Sequence, residues 1–569
     1  MTDTSDTTDT PPGRVRWIPT GRSIIACKPI EPDANTVVFS TRNPATGTVL
    51  PSRFQAATRV QVSDAANEAW RAFDSARAIP TSDRAELLRA IAQGLADAED
   101  DLIQICAQET GLTEDRLSSE LGRTTSTLRL FADVIEDGSW QRPAIDTPDP
   151  SRKPSPRPGL RRMLLPLGPV AVFGASNFPL AYSTMGTDAA SALAAGCPVI
   201  VKGHPLHPGT GEIAAQVVAE AVRASPFPNG WFSFLHAGGD RERDIGSELL
   251  EHPCVRAAGF TGSLGGGTAL AEIARTRPDP IPFFAEMGSI NPAFVLPGGL
   301  SKEPVGIAQH LARAIGQYAG QQCTCPGLVF VVKGSHAASF IERLALELRG
   351  MPPTPMLAAR IRKNYLSRLE SLLALPGVRT EVGDPKEIRG ASARLSDDKP
   401  THEKPVLLRT NADTFLSHDT LHEEVFGPAS IVVECENPAE LARCAGLIQG
   451  SLAASVFLAS QDLSIAEELV AILSLRAGRI VFNGVTTGVE VGHATVHGGP
   501  FPACNRSDTT AVGPMALERW CRPVAFQNAP GNLLPPDLRD ENPGGCLRLI
   551  DGEPTRDRVA ASKGGHPDS

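Results

Sequence analysis

The sequence predicts an α/β protein built on doubly wound parallel sheets, and three observations carry that expectation. Apolar runs of four to eight residues recur beyond residue 167, among them "GPVAVFG", "CPVIVKG", "VRAAGFTG", "AFVLPG", "GLVFVVKG", "SIVVEC", "SVFLAS" and "RIVFNG". Hydrophobic on both faces and mostly closed by Gly, Asn, Ser or Lys, they read as buried parallel strands. Segments of helical spacing, such as "TGEIAAQVVAEAVRA", "VGIAQHLARAIGQYAG" and "AELARCAGLIQG", lie between them, and there are enough strands for two such sheets.

The elements follow in order along the chain. The first 30 or so residues are polar and Pro-rich, which predicts a loose arm, and residues 531–569, rich in Pro, Gly and charge, predict a partly ordered extension. From about 57 to 137, "AELLRAIAQGLADAEDDLIQICAQETG" and "TSTLRLFADVIED" space their apolar residues for amphipathic helices. A basic, Pro-rich connector, "RKPSPRPGLRR", separates these helices from the strand-rich part.

With 569 residues and 41% hydrophobic content the chain can bury two or three cores, and a net charge of -10 gives no general attraction for nucleic acid or anionic membrane. The window closest to a membrane span, "LLPLGPVAVFGASNFPLAY", is interrupted by Pro, Gly, Ser and Asn, and "MTDTSDTTDTPPGR" has no apolar core of a signal peptide. A cytoplasmic enzyme is expected. Eleven cysteines, scattered from Cys27 to Cys546 without paired spacing, read as reduced thiols.

Ligands of open α/β sheets bind beyond the carboxyl ends of the strands. The first run there delivers Asn177 in "GASNFP", the second Lys202 in "VKGHP", and the third Thr261, Gly262 and Ser263 in "GFTGSLGGG". "GSLGGG" suits a helix-capping turn and a phosphate site equally. In "AGQQCTCPGLVFVV", Cys323 and Cys325 stand one residue apart with no second Cys/His pair following. That spacing does not suit structural zinc and leaves two readings, buried core thiol or nucleophile.

"GASNFP", "VIVKGHP", "GFTGS", "FAEMGSINP", "GQQCTCPG" and "HEEVFGP", in this order and spacing, resemble the aldehyde dehydrogenase superfamily. "FGASNFPLAYSTMGTDAASALAAGCPVIVKGHPLHPGT", "ARTRPDPIPFFAEMGSINP" and "GVEVGHATVHGGPFPA" are most similar to its α-ketoglutaric semialdehyde (2,5-dioxovalerate) dehydrogenases and to the NADP-dependent long-chain aldehyde dehydrogenase of luminous bacteria. The resemblance implies an aldehyde dehydrogenase-like fold, two doubly wound α/β domains plus a small β oligomerisation element. It divides the chain into an arm (1–35), a nucleotide-binding domain (36–152 and 167–300), the oligomerisation element (153–166 and 485–530), a catalytic domain (301–484) and an extension (531–569). "GLRRMLLPL" and "ATVHGGPFPA" suit the bridging strands of the small element, and a homodimer or higher assembly is expected.

The resemblance also implies roles. Cys323 is the nucleophile, Asn177 with the backbone N–H of Cys323 the oxyanion donors, and Glu286 the base that activates water. Lys202 reaches the adenosine ribose, Gly262 and Ser263 form the pyrophosphate turn, Glu424 holds the nicotinamide ribose, and Phe426 lies beside the ring. Where NAD-preferring members carry KPxE, this chain has Pro205 in place of the carboxylate, with His204 beside it. The barrier to a 2′-phosphate is thereby lost, so NADP is expected to serve at least as well as NAD. His497 either tunes the thiol or is a satisfied structural histidine. Phe178, Tyr182 and Met185, read as one helix after Asn177, line the aldehyde tunnel, and Arg123 and Arg129 border it from an upstream helix, where a guanidinium would grip a carboxylate substrate.

The substrate expected is α-ketoglutarate semialdehyde, the alternative a medium- or long-chain aliphatic aldehyde. A non-catalytic scaffold is disfavoured by the joint presence of thiol, oxyanion donor and base. No metal is expected, and the closeness of Cys325 to Cys323 raises a reversible disulfide.

Overall fold

The computed structural model describes residues 17–33 and 36–560; the outer parts of the predicted arm and extension lie outside the described residues. Two seven-stranded sheets form the frame. In the first, the parallel strands run Phe283–Glu286, Ala257–Thr261, Val170–Phe173, Val199–Lys202, Phe232–Leu235 from one edge inward. Chain order reverses between Val170–Phe173 and Ala257–Thr261, so the crevice beyond their carboxyl ends is a topological switch point. Each of these strands except Ala257–Thr261 and Val199–Lys202 is buried at every residue, and those two lose burial only at their final residues.

The second sheet orders Arg379–Val382, Val406–Asn411, Ala429–Cys435, Leu328–Val332, Ala293–Val295, Ser451–Phe457 and Ala477–Phe482. Only the Arg379–Val382 strand runs antiparallel to its neighbour. Four helices, Arg59–Ser75, Thr81–Asp97, Glu99–Thr110 and Glu114–Asp137, precede the first sheet. The first starts from a capping box between Thr58 and Gln61, and the last ends at Gly138, whose φ of 74° is the left-handed turn that glycine adopts without strain.

Three features depart from expectation. Ile24–Ile25 and Lys28–Pro29, read as part of the loose arm, extend the first sheet by pairing antiparallel beside Phe232–Leu235. They are pinned there by buried Glu212, which accepts from Thr20 N and Oγ1 at 2.6 Å and from Gly21 N at 2.9 Å and pairs with His236 Nε2 at 3.0 Å. "ATVHGGPFPA" forms no strand: residues 483–513 are irregular apart from a single bridge between Glu286 and Cys504. The strand that pairs with Leu160–Pro166 is Cys521–Gln527 instead. Their small sheet is completed by Ala144–Asp146 and, from the C-terminal extension, Arg548–Ile550 and Glu553–Thr555. No helix among the described residues is long and apolar enough to cross a membrane.

Candidate active site

Helix Pro304–Gly316 stops short of Cys323, and the chain turns through three consecutive left-handed residues, Tyr318 (φ 55°), Ala319 (φ 53°) and Gly320 (φ 62°). Such backbone is unfavourable for side-chain-bearing residues and is held by its surroundings. A Cβ on Gly320 would stand 2.3 Å from the Gly427 carbonyl oxygen, so this crossing of two loops requires glycine. Cys323 then occupies the turn before strand Leu328–Val332.

Asn291, itself at φ 47°, fixes that turn by donating from Nδ2 to the carbonyls of Cys323 (2.8 Å) and Cys325 (3.0 Å). Its Oδ1 accepts from Ser289 Oγ (2.6 Å) and Ala453 N (3.2 Å), which ties the turn to the second sheet. Thr486 Oγ1 adds a bond to the Thr324 carbonyl at 2.7 Å. Asn291 lies within the motif "GSINP", yet nothing in the motif says which carbonyls its side chain reaches.

Cys323 Sγ lies 3.6 Å from His497 Nε2, and the same nitrogen lies 2.9 Å from Glu286 Oε1. All three ligand-type atoms fall within 4.8 Å of one another. Glu286 is 4% exposed, His497 1%, and Cys323 half-buried. Burial pushes the Cys323 thiol well above the usual cysteine range, the negative Glu286 and Glu424 add to the rise, and the positive Arg123 opposes it.

Asn177 donates from Nδ2 to the Gln321 carbonyl at 3.0 Å, two residues before Cys323. An amide carries two N–H groups, so one is left to offer. The Cys325 thiol points elsewhere, toward the carbonyls of Ala314 (3.7 Å) and Ile315 (4.0 Å), and burial pushes it up to about 12. The two thiols face different surroundings, and the loop would have to re-form before they could pair.

The substrate-side expectations divide. Phe178, Tyr182 and Met185 do not share a helix: residues 177–186 are turns, and the helix begins at Thr187, after Gly186. Phe178 and Tyr182 stack edge to face at 5.5 Å, and Tyr182 lies 5.9 Å from the His497 ring. Met185 is instead 2% exposed and belongs to the main core. Arg123 donates to Tyr182 Oη at 3.0 Å, placing its charge on the thiol's side of the helix.

Arg129 does not reach the site and is exposed. Six residues of α-helix turn it about 120° away from Arg123. Two arginines enter unannounced. Arg116, 7% exposed, is sandwiched between the Phe178 and Tyr318 rings and donates to the Asn177 carbonyl at 2.7 Å. Arg479, on strand Ala477–Phe482, carries a guanidinium depressed by burial and lies within electrostatic reach of Cys323, Tyr182 and Arg123.

At the crevice's other end the side chains suit a phosphorylated ribose ligand. Ser263 caps helix Leu264–Thr276, accepting from Gly266 N at 3.2 Å, and Gly262, Leu264 and Gly265 are exposed around its open N-terminus. Lys202 closes strand Val199–Lys202, and burial lowers it to about 8. His204 Nδ1 accepts from Leu206 N at 3.2 Å, and burial drives its pKa well down, so the ring is neutral with Nε2–H free to donate. Arg360 and Glu242, 3.8 Å apart, lie within electrostatic reach of Lys202. Burial raises Glu424 to about 8, the Ser289 N–H opposing, and half-buried Phe426 follows two residues on.

A nucleophile-type thiol beside an imidazole and a carboxylate, with a lysine and an open helix N-terminus beyond the strand ends of a switch-point sheet, suits a cofactor-dependent oxidoreductase. The aldehyde dehydrogenase family model matches residues 30–500. The chain belongs to the aldehyde dehydrogenase family and is an oxidoreductase acting on aldehydes.

Among its relatives, α-ketoglutaric semialdehyde dehydrogenase 2 of Azospirillum brasilense is 42% identical over 94% of this chain and 99% of its own. α-Ketoglutaric semialdehyde dehydrogenase of Acinetobacter baylyi is 41% identical over 88% and 92%. Betaine aldehyde dehydrogenase from Staphylococcus aureus, solved with NAD+, superposes with a TM-score of 0.74 at 20% identity, covering 90% of this chain and 96% of that one. Members of this family use NAD(P), and the groups around Ser263, Lys202 and His204 fit such a cofactor.

Proposed function

We propose that the chain oxidises α-ketoglutarate semialdehyde to α-ketoglutarate, with NADP serving at least as well as NAD. The observation that carries the substrate is Arg123, whose guanidinium donates to the Tyr182 hydroxyl at 3.0 Å beside the His497 ring, with Arg479, held by the carbonyls of Thr486 and Gly488, adding positive charge nearby. A neutral aliphatic aldehyde needs neither, whereas a carboxylate is suited to both. The names and 41–42% identity of the two relatives support the same substrate.

In this reading His497 Nε2, 3.6 Å from Sγ, takes the thiol proton, and the Glu286 carboxylate 2.9 Å away steadies the resulting imidazolium. Cys323 Sγ attacks the aldehyde carbon, and Asn177 Nδ2 with the Cys323 N–H receives the oxyanion. A nicotinamide held beside the thiol would supply the hydride acceptor. The Cys323 thioester is then hydrolysed by water that gives its proton to Glu286, releasing the acid and the thiol. Glu424 would hold the ribose hydroxyls of the nicotinamide end, and Phe426 would flank it. Lys202, His204, Gly262 and Ser263 would hold the adenosine and phosphate end, and Pro205 would leave room for a 2′-phosphate.

The sheet that ends in Cys521–Gln527 supplies the surface for the expected homodimer or higher assembly. The test is kcat/KM for α-ketoglutarate semialdehyde and for an uncharged aldehyde of equal length, each with NAD and NADP. A preference for the semialdehyde and NADP use at least equal to NAD are expected. Higher kcat/KM for the uncharged aldehyde overturns the substrate, and strong NAD preference overturns the cofactor reading.

A further inference from the structure

We propose that Glu286, Cys323 and His497 form a binding site for a zinc-type divalent ion that occupies the free enzyme and reversibly blocks its thiol. Tetrahedral zinc with ordinary Zn–S and Zn–N lengths sets a sulfur and an imidazole nitrogen about 3.6 Å apart, and a nitrogen and a carboxylate oxygen about 3.4 Å apart. The corresponding separations are 3.6 Å and 2.9 Å, and the whole set lies within 4.8 Å. One ångström-scale adjustment of the Glu286 carboxylate completes the geometry.

A second observation points to a ligand at the same place. Both Glu286 carboxylate oxygens are buried without a hydrogen-bond partner of good geometry, although His497 Nε2 stands close to one of them. A buried carboxylate in that state is destabilised and gains from any cation or donor that enters. Cys323 is half-buried, so the site opens to the crevice, and three protein ligands leave the fourth position for water.

Thiolate and imidazole select zinc or cobalt over magnesium and calcium, whose preference is for oxygen. Glu424 adds negative charge near the thiol and Arg123 opposes it, so affinity reflects their balance. Binding exchanges one bond for another without oxidation: the metal forms a bond to Sγ, the S–H bond breaks, and the proton leaves to solvent. The sulfur lone pair that would attack an aldehyde is then held by the metal. The three ligands lie far apart in sequence, at 286, 323 and 497, so no short-range Cys/His spacing announces them.

Metal binding depends only on the geometry of these three side chains, whereas the block of dehydrogenation rests on the nucleophile role proposed above for Cys323. Reduced, chelator-washed full-length enzyme is titrated with Co2+, followed by Zn2+. One equivalent of a near-ultraviolet thiolate-to-cobalt band is expected, displaced by zinc. The band is lost in Cys323→Ser, kept in Cys325→Ser, and needs at least tenfold more metal in His497→Ala.

In parallel, zinc inhibits dehydrogenation, a chelator restores it, and aldehyde protects. Absence of a stoichiometric band, or a band that survives Cys323→Ser, overturns the proposal. Circular dichroism of each variant distinguishes lost binding from lost fold. A cobalt band in a protein that fails to oxidise aldehydes would refute the catalytic reading and leave this one standing; aldehyde oxidation without the band does the reverse.

Discussion

The two ends of the crevice solve opposite problems. At the thiol end, three segments distant in sequence meet through contacts of 2.9–3.6 Å, and two of the three side chains are almost fully buried. At the end proposed for adenosine, Lys202, His204, Glu242 and Arg360 act on one another mainly through their fields, and the one ion pair between them is loose at 3.8 Å and partly exposed. Short buried contacts make function depend on position, whereas a charge at the solvent edge, as in the Arg360–Glu242 pair, grades it. Substitutions at the first end should therefore act almost all or none, and those at the second should be modest and salt-dependent.

The sharpest check is the thiol itself. Cys323→Ala should abolish aldehyde-dependent cofactor reduction, with no burst on rapid mixing. Cys325→Ala should keep most activity, because its sulfur faces the end of helix Pro304–Gly316. If Cys325→Ala were the dead variant, the alignment of the whole loop would be wrong. Next in size is Asn177→Ala, expected to lower kcat by about a hundred- to a thousandfold with little change in KM, the signature of a lost oxyanion donor. A rise in KM alone would make Asn177 a binding group and remove the oxyanion role.

This contrast also marks what could be seen in the sequence. Asn177, Lys202 and Ser263 were legible because each follows a strand whose apolar run is unmistakable, and strand ends are where α/β sheets bind ligands. Cys323 could not be told from a core thiol by its spacing, and the aligned motifs singled it out. The sequence leaves His497 between two roles because a Gly-Gly-Pro loop has no periodicity from which a direction can be read. The same loop reads as a strand in sequence, since "ATVHGGPFPA" shows an apolar alternation, but it turns to bring His497 beside Glu286.

Arg129 failed on helical phase, which composition does not fix until the buried face is known. The Phe178–Met185 helix failed at Pro179 and Gly186, where local chemistry outweighed apolar spacing. Residues 24–29 looked like a loose arm because two-residue strands are too short for any pattern, and Glu212, the group that holds them, comes from a helix far along the chain.

Arg123 stands between the two regimes, half-buried beside Tyr182, and in the proposed reading it faces the carboxylate of the substrate. Arg123→Ala should raise KM for α-ketoglutarate semialdehyde about ten- to a hundredfold, the range for losing a charge-assisted hydrogen bond, and change an uncharged aldehyde of the same length far less. Arg129→Ala should change neither, being exposed on another face of the helix. Equal losses on both substrates for Arg123→Ala would show that it acts only by supporting the Tyr182 hydroxyl at 3.0 Å.

The smallest expected effect tests the adenosine end. Arg360 comes from helix Ala359–Leu373, on the side of the second sheet, and its charge is felt by Lys202 and His204 while its nearest carboxylate, Glu242, is shared loosely. A 2′-phosphate placed beside Lys202 would meet both cations, and NAD carries no such group. Arg360→Ala should then raise KM for NADP about two- to fivefold, leave NAD nearly unchanged, and lose this difference as salt is added, because exposed charges contribute about 1 kcal/mol or less.

Titration gives an independent reading of the same field. Burial holds Lys202 at about 8, below its ordinary value, so its positive charge is present below that pH and lost above it. The ratio of KM for NADP to KM for NAD should rise as pH climbs through about 8. Burial brings Glu424 to about 8 as well, but in the proposed reading it serves a part common to both cofactors and cancels in the ratio. A flat ratio across pH together with an unchanged NADP KM in Arg360→Ala would show that the 2′-phosphate is held elsewhere.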